Sequence, residues 1–192
     1  MLAALYFHGD RELKLNKVFY VFCIAIALLT GCATNQPVSV SNDGIVTLTD
    51  SPAIQFSASN WGYTNISNPF FLTPDYLTNA MVSISRLQPG EALLHEGPII
   101  PDNVNTETLL KLQAKRLVGK NNLEIIQATM SGHSIALATY SDPEKKHLEY
   151  SFVLNGTVIY ILVVAKEGDY YNSSKLVAEN VIKTMRNVQT KI

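Results

Sequence analysis

From Leu123 onward the apolar positions of this chain fall into four short runs, LEIIQATM, HSIALATY, HLEYSFVL and TVIYILVVA. The links between them are SG, SDPEKK and NG. Short runs rich in β-branched and aromatic residues, bounded by turn residues, predict strands. Asn155-Gly156 is the strongest hairpin signal in the chain, because both residue types tolerate the positive φ of a type I′ turn. TVIYILVVA is almost continuously apolar, as expected of a central strand covered on both faces.

Upstream, IVTLTD from Ile45 alternates apolar and polar positions. PAIQFSAS does the same, with Ile54 and Phe56 on one face, and AMVSISRL (80–87) reads as a third strand stopped by QPGE. Two stretches break the rhythm. Residues 60–77, NWGYTNISNPFFLTPDYL, hold Gly62, Pro69 and Pro74 and predict an irregular loop with room for one helical turn. Residues 88–104, with three prolines and two glycines, predict another loop.

Asn105 is placed to cap a helix over 106–118, with Leu110, Ala114, Leu117 and Val118 on its inner face and Gly119 ending it. Asn172 or Ser173 is expected to cap a last helix running to about Arg186. Its inner stripe is Val177, Val181, Ile182, Met185 and Val188, and Lys183 and Arg186 suit its C-terminal end. The expected fold is α+β: an antiparallel sheet with a C-terminal four-stranded meander, packed by two amphipathic helices.

The N-terminus follows another pattern. Val18–Leu29, VFYVFCIAIALL, is an uncharged run of twelve residues preceded by Arg11, Lys14 and Lys17. A membrane-spanning helix needs about 20 apolar residues, so the run has the length of a signal-peptide core. Leu29-Thr30-Gly31-Cys32 then resembles the lipobox of bacterial lipoproteins. That resemblance implies signal-peptidase recognition of Leu29, Thr30 and Gly31, with cleavage before Cys32 and acylation of its thiol. It also implies that residues 1–31 are a signal peptide, that 32–44 are the lipidated cysteine and a flexible tether, and that 45–192 form one domain. Several acyl chains hold a protein stably where one does not, because each buried methylene contributes about 0.8 kcal/mol. Asp after the cysteine marks inner-membrane retention in Gram-negative lipoproteins. Ala33 therefore implies the periplasmic face of the outer membrane. The leader is long for such a peptide, and the expected translation start lies nearer Leu13 or Leu15.

The element order, with the segment HLEYSFVLNGTVIYILVVAKEGDYYNSSKLVAENVIKTM at its end, resembles the PsbP/Mog1/DcrB-like fold over roughly residues 45–188. The resemblance is one of topology. It implies a binding or assembly module, since the family shares no catalytic residues. The long stretches at 60–79 and 88–104 depart from that pattern.

Charge and chemistry narrow the functional classes. The chain has 15 basic and 16 acidic residues, without the clustered lysines and arginines that nucleic acid requires. Three basic and two acidic residues leave with the signal peptide, so the mature chain has 12 and 14. Cys23 leaves with the leader and Cys32 takes lipid, so no disulfide, thiolate metal site or cysteine nucleophile is expected.

His95, His133 and His147 lack zinc-motif spacing, and no metal or cofactor is expected. Paired antiparallel, the strands opened by His133 and His147 place these two at opposite ends of a hairpin. Ser131-Gly132-His133-Ser134 lacks the nucleophile elbow GxSxG. Glu144, Lys145 and Lys146 read as a solvated turn, and the triplets at Asn65, Asn155 and Asn172 as chance matches to a glycosylation signal.

The aromatics Trp61, Tyr63, Phe70, Phe71 and Tyr76 share one breaker-rich stretch, with Tyr170 and Tyr171 before the last helix. They form either a lid folded onto the core or an exposed contact surface, for which Trp and Tyr are favoured. The expected function is a membrane-anchored, non-enzymatic protein-interaction or envelope-assembly module with an envelope protein partner. The alternative is a periplasmic binder of a small or lipidic ligand, held in a closed apolar cavity between sheet and loops.

Overall fold

The computed structural model describes residues 38–188 apart from 51, 59–60, 65, 74–78 and 95–96. The leader, the Leu29–Cys32 motif, His95, Asn65 and Tyr76 lie outside the described residues. Eleven strands and two helices follow along the described chain: β1 (Val38–Val40), β2 (Ile45–Leu48), β3 (Ile54–Ser57), β4 (Gly62–Tyr63), β5 (Phe70–Thr73), β6 (Ala80–Leu87), α1 (Thr106–Arg116), β7 (Asn121–Met130), β8 (His133–Ser141), β9 (Lys146–Leu154), β10 (Thr157–Ala165), α2 (Asp169–Thr184) and β11 (Arg186–Asn187). They build two antiparallel sheets. The small one has the order β1-β2-β3-β11 and the large one β4-β5-β6-β10-β9-β8-β7.

β10 lies inside the large sheet, paired with β6 from Val158↔Leu87 to Ala165↔Ala80 and with β9 from Thr157↔Leu154 to Ala165↔Lys146. Successive side chains of a strand point to opposite faces. Ile159, Ile161 and Val163 enter the main core with Phe56, Leu48 and Ile54 of the small sheet and Ala178, Val181 and Ile182 of α2. Val158 and Tyr160 enter a second core with Leu109 of α1 and with Leu93 and Ile100 of the 88–104 segment. The large sheet is thus a middle layer covered on both sides. At the β9–β10 turn, Asn155 (φ 48°) and Gly156 (φ 82°) both take the left-handed conformation of a type I′ hairpin.

The structure corrects several expectations. Val38–Val40 is a strand paired with β2, and Val38 is buried, so the polar stretch expected as tether ends before residue 38. Its three residues are too few to reveal a strand that needs β2 as its partner. The 60–77 stretch contains the hairpin β4–β5, with β5 paired to β6. Pro69 directly precedes β5 rather than breaking it.

Helix α1 ends at Arg116 and turns a different face inward. Leu109, Gln113 and Leu117 are buried, whereas Ala114 is exposed and Val118 is 78% exposed. Its inner stripe includes polar side chains, which a count of apolar positions passes over. Helix α2 begins at Asp169, not at Asn172 or Ser173, and its N-cap is Gly168 with φ 93° and no side-chain cap bond. Glycine accepts that backbone without steric cost, and Asp169 complements the positive end of the helix. The helix stops at Thr184, because Arg186–Asn187 pairs with β3.

One buried cation joins the two sheets. Arg86 of β6 is 4% exposed. Its Nη1 donates to the Asp50 carbonyl at 2.5 Å and the Pro52 carbonyl at 2.9 Å, and its Nη2 to the Ser67 carbonyl at 3.2 Å. Asp50 Oδ2, 3.7 Å from Nη2, also accepts from the Ser67 hydroxyl. The β2–β3 and β4–β5 connections therefore share one anchor. Arg86→Ala is expected to lower the unfolding free energy by about 3 kcal/mol, since three hydrogen bonds from a charged group are lost together with the packing of a buried side chain. Urea unfolding checks this, with exposed Lys111→Ala as the reference that stays within about 0.5 kcal/mol of wild type.

Candidate functional site

The aromatics of the 60–77 stretch divide between core and surface. In β5 the alternation turns Phe70 and Leu72 inward, both fully buried, because β5 pairs with β6 through Phe70↔Ile84 and Leu72↔Val82. Phe70 meets Phe56 edge-on at 5.7 Å. Phe71 is half-buried, and Trp61 packs against the main core. Tyr63 of β4 is 50% exposed, stacked on Phe70 at 6.1 Å, and Ile66 beside it is 55% exposed. The expected contact surface is corrected accordingly: Phe70 is a core residue, Trp61 and Phe71 are partly covered, and Tyr63 remains, joined by Ile66. Tyr170 and Tyr171 are half-buried in the first turn of α2, and Tyr171 packs on the main core.

The histidines are held apart. The His133 ring lies 5.0 Å from Phe152. His147, opposite Tyr140 in the β8–β9 ladder, stacks on that ring at 4.5 Å. His147 Nε2 is 2.7 Å from Asp142 Oδ2. That contact, with the backbone N–H groups of Glu144 and Lys145, holds the exposed Asp142 carboxyl down to about 2. The Ser134 hydroxyl accepts from Gln127 Nε2 at 3.1 Å. In the charged turn, Lys146 pairs with Glu167 at 2.5 Å and lies over the Tyr171 ring at 5.7 Å.

A cluster not anticipated from the sequence lies beneath α1. Glu149 of β9 is fully buried; it pairs with Arg116 of α1 and accepts a hydrogen bond from the Tyr140 hydroxyl at 2.9 Å. Arg116 Nη2 also donates to the Tyr160 hydroxyl at 3.0 Å. Burial, then the Glu149 charge, pushes the Tyr140 phenol far up. Tyr160 is raised by the same causes in the same order. Burial pulls the Arg116 guanidinium down, but the oxygens of Tyr160 and Glu149 outweigh it and its pKa rises. Tyr150, facing Glu179 at 3.3 Å from the other side of the sheet, is raised by burial and by that carboxylate.

In the sequence, Glu149 alternates with His147 and Ser151, a pattern that reads as a solvent face. Only α1 packed above it makes that face interior. The cluster ties α1 to the sheet through Arg116 Nη2, which bonds both Glu149 and Tyr160.

Two concavities are open to solvent. One, of about 440 Å³, is lined by polar and apolar groups of Asp43, Ile45, Gln55, Phe56, Ser57, Thr184 and Arg186. The other, of about 320 Å³, lies at the β8–β9 turn beside Asn122 and Glu167. Neither is a closed apolar cavity between sheet and loops. Among the described residues no group of three or more His, Cys, Asp or Glu side chains is placed to hold a metal. Among the same residues no helix is long and apolar enough to cross a membrane.

No family model matches the chain, and no curated protein matches it. Its backbone is similar to several solved structures. Cyanobacterial PsbP from Synechocystis sp. PCC 6803 is 13% identical, with a TM-score of 0.42, covering 79% of this chain and 91% of that one. LpqN of Mycobacterium tuberculosis, described as involved in cell envelope biogenesis, is 14% identical, with a TM-score of 0.47 and coverages of 79% and 89%. A protein of Bacteroides thetaiotaomicron VPI-5482 is 11% identical, with a TM-score of 0.44, covering 81% of this chain and 49% of that one.

The buried phenols make an alkaline prediction. A tyrosine whose folded pKa is raised contributes stability that is complete below its unfolded value and is lost as pH rises through the folded one. Tyr140, Tyr150 and Tyr160 are therefore expected to add no phenolate absorbance at 295 nm at about pH 11, where an unperturbed tyrosine is ionised. Their signal should appear together with unfolding, followed by circular dichroism in the same titration. Ionisation of all three with the fold intact would contradict the burial described.

Proposed function

We propose that this chain is a lipid-anchored envelope protein whose domain acts as a non-enzymatic interaction or assembly module on the periplasmic face of the outer membrane. The anchor is supported by Leu29-Thr30-Gly31-Cys32 after its short apolar run, and the outer membrane by Ala33. The observation that carries the interaction role is the exposed pair Tyr63 and Ile66 on the β4–β5 hairpin, at the end of the large sheet. Tyr63 is held by its stack on the immobile Phe70, so its ring is presented with little side-chain freedom left to lose. The non-enzymatic part rests on the sequence resemblance to a family of binding modules. It rests also on the buried cluster at Glu149, whose charges are engaged with one another.

Two experiments test this reading. Cys32→Ser should abolish incorporation of labelled palmitate into the protein in growing cells; unchanged labelling would remove the lipid anchor from the proposal. Crosslinking in intact cells, with mass spectrometry of the captured proteins, should give a discrete envelope partner. That partner should be lost in Tyr63→Ser with Ile66→Ser, at a cost in stability of about 1 kcal/mol or less because both side chains are half exposed or more. A partner captured equally by the variant would move the surface elsewhere. A small molecule co-purifying with no partner captured would favour the ligand-binding alternative.

A further inference from the structure

The described chain has four sheet edges, and three of them are short. β1 has three residues, β11 two and β4 two. β7 is the exception: ten residues at the end of the large sheet, bonded among the described residues to β8 alone. Exposed edges are usually blunted by shortness, lysine or proline, because their unpaired backbone groups accept another strand. Beyond its bulge at Asn121/Glu124, β7 has neither lysine nor proline, and Glu124 is its one charged residue. Leu123 and Ile125 pack under Leu117 and Tyr140. Ile126 stands on the opposite side of the strand and is 44% exposed.

We propose that β7 pairs antiparallel with β7 of a second copy of this chain, about a two-fold axis through Ile126, joining the two large sheets into one. A second copy offers the same long edge, and the axis at Ile126 is the register that pairs the two exposed isoleucines. With the axis at Ile126, each exposed isoleucine meets its own copy, Glu124 faces Ala128, Ile125 faces Gln127 and Leu123 faces Thr129. No like charges oppose each other. An axis at Glu124 would set two carboxylates directly against one another, which disfavours it.

A strand that pairs with its own copy forms a closed, isologous contact, so assembly stops at two. The formal net charge, −1 for the whole chain and −2 without residues 1–31, leaves little repulsion between copies. The pairing is independent of the envelope-partner reading, which uses the β4–β5 hairpin at the other end of the sheet. Either can fail without the other.

The test uses the full chain in cells. Directly opposed residues of an antiparallel pair have Cα atoms about 4.5–5.5 Å apart, within the range a disulfide spans. Ile126→Cys should therefore give a disulfide-linked dimer on a non-reducing gel, in excess of any that wild type forms. Leu176→Cys, on the 66% exposed position of α2, should not. In a second arm, two differently tagged copies are co-expressed. Copies that both carry Ile126→Lys should lose at least tenfold in mutual capture, and Ile126→Lys with Ile126→Glu should recover it. No dimer from Ile126→Cys, equal crosslinking from Leu176→Cys, undiminished capture between Ile126→Lys copies, or no recovery in the mixed pair would each overturn the proposal.

Discussion

The architecture depends on β10 being covered on both faces. Its alternate side chains serve two different cores, one shared with the small sheet and α2, the other with α1 and the 88–104 segment. Removing either cover would expose a row of Val, Ile and Tyr side chains, at a cost of about 1.5–3 kcal/mol for each large apolar one. The layers are therefore coupled through a single strand, and each helix has its place because β10 needs it there.

Polar groups set how those layers sit. Arg86 reaches from the large sheet to three carbonyls on two connections, and Arg116 reaches from α1 to Glu149 and Tyr160. Burying such charges costs more than burying hydrocarbon, so they add little net stability over an apolar replacement. Their geometry, however, admits few alternatives. An arginine bonded to several fixed acceptors at once admits few arrangements of the elements around it, whereas an apolar contact tolerates sliding.

That division explains the errors of sequence reasoning. The runs from Leu123 to Ala165 coincide with β7–β10, because each strand carries its own alternation and its own turn residues. The inner face of α1 lies one position away from its apolar stripe, because Gln113 is buried, Arg116 is mostly covered and Val118 is outside. Hydrophobic counting cannot place an arginine whose partner lies 33 residues away. β1, β4, β5 and β11 have two to four residues each. Strands so short exist only as additions to a neighbour, and their own sequences carry too few positions to show a period. The start of α2 was missed for a related reason: Gly168 enters the helix through backbone freedom, without the side-chain cap that marks a start in sequence.

The sequence by itself determined where the long strands and both helices lie, the type I′ turn at Asn155-Gly156, and the lipobox-like motif at Leu29–Cys32. These depend on neighbours a few residues away along the chain. Only the tertiary structure decided that Phe70 is core while Tyr63 is surface, that Glu149 lies in the interior, and that β7 is left as the one long edge among the described residues. Each of these depends on what another segment covers, and coverage is a property of the packed layers.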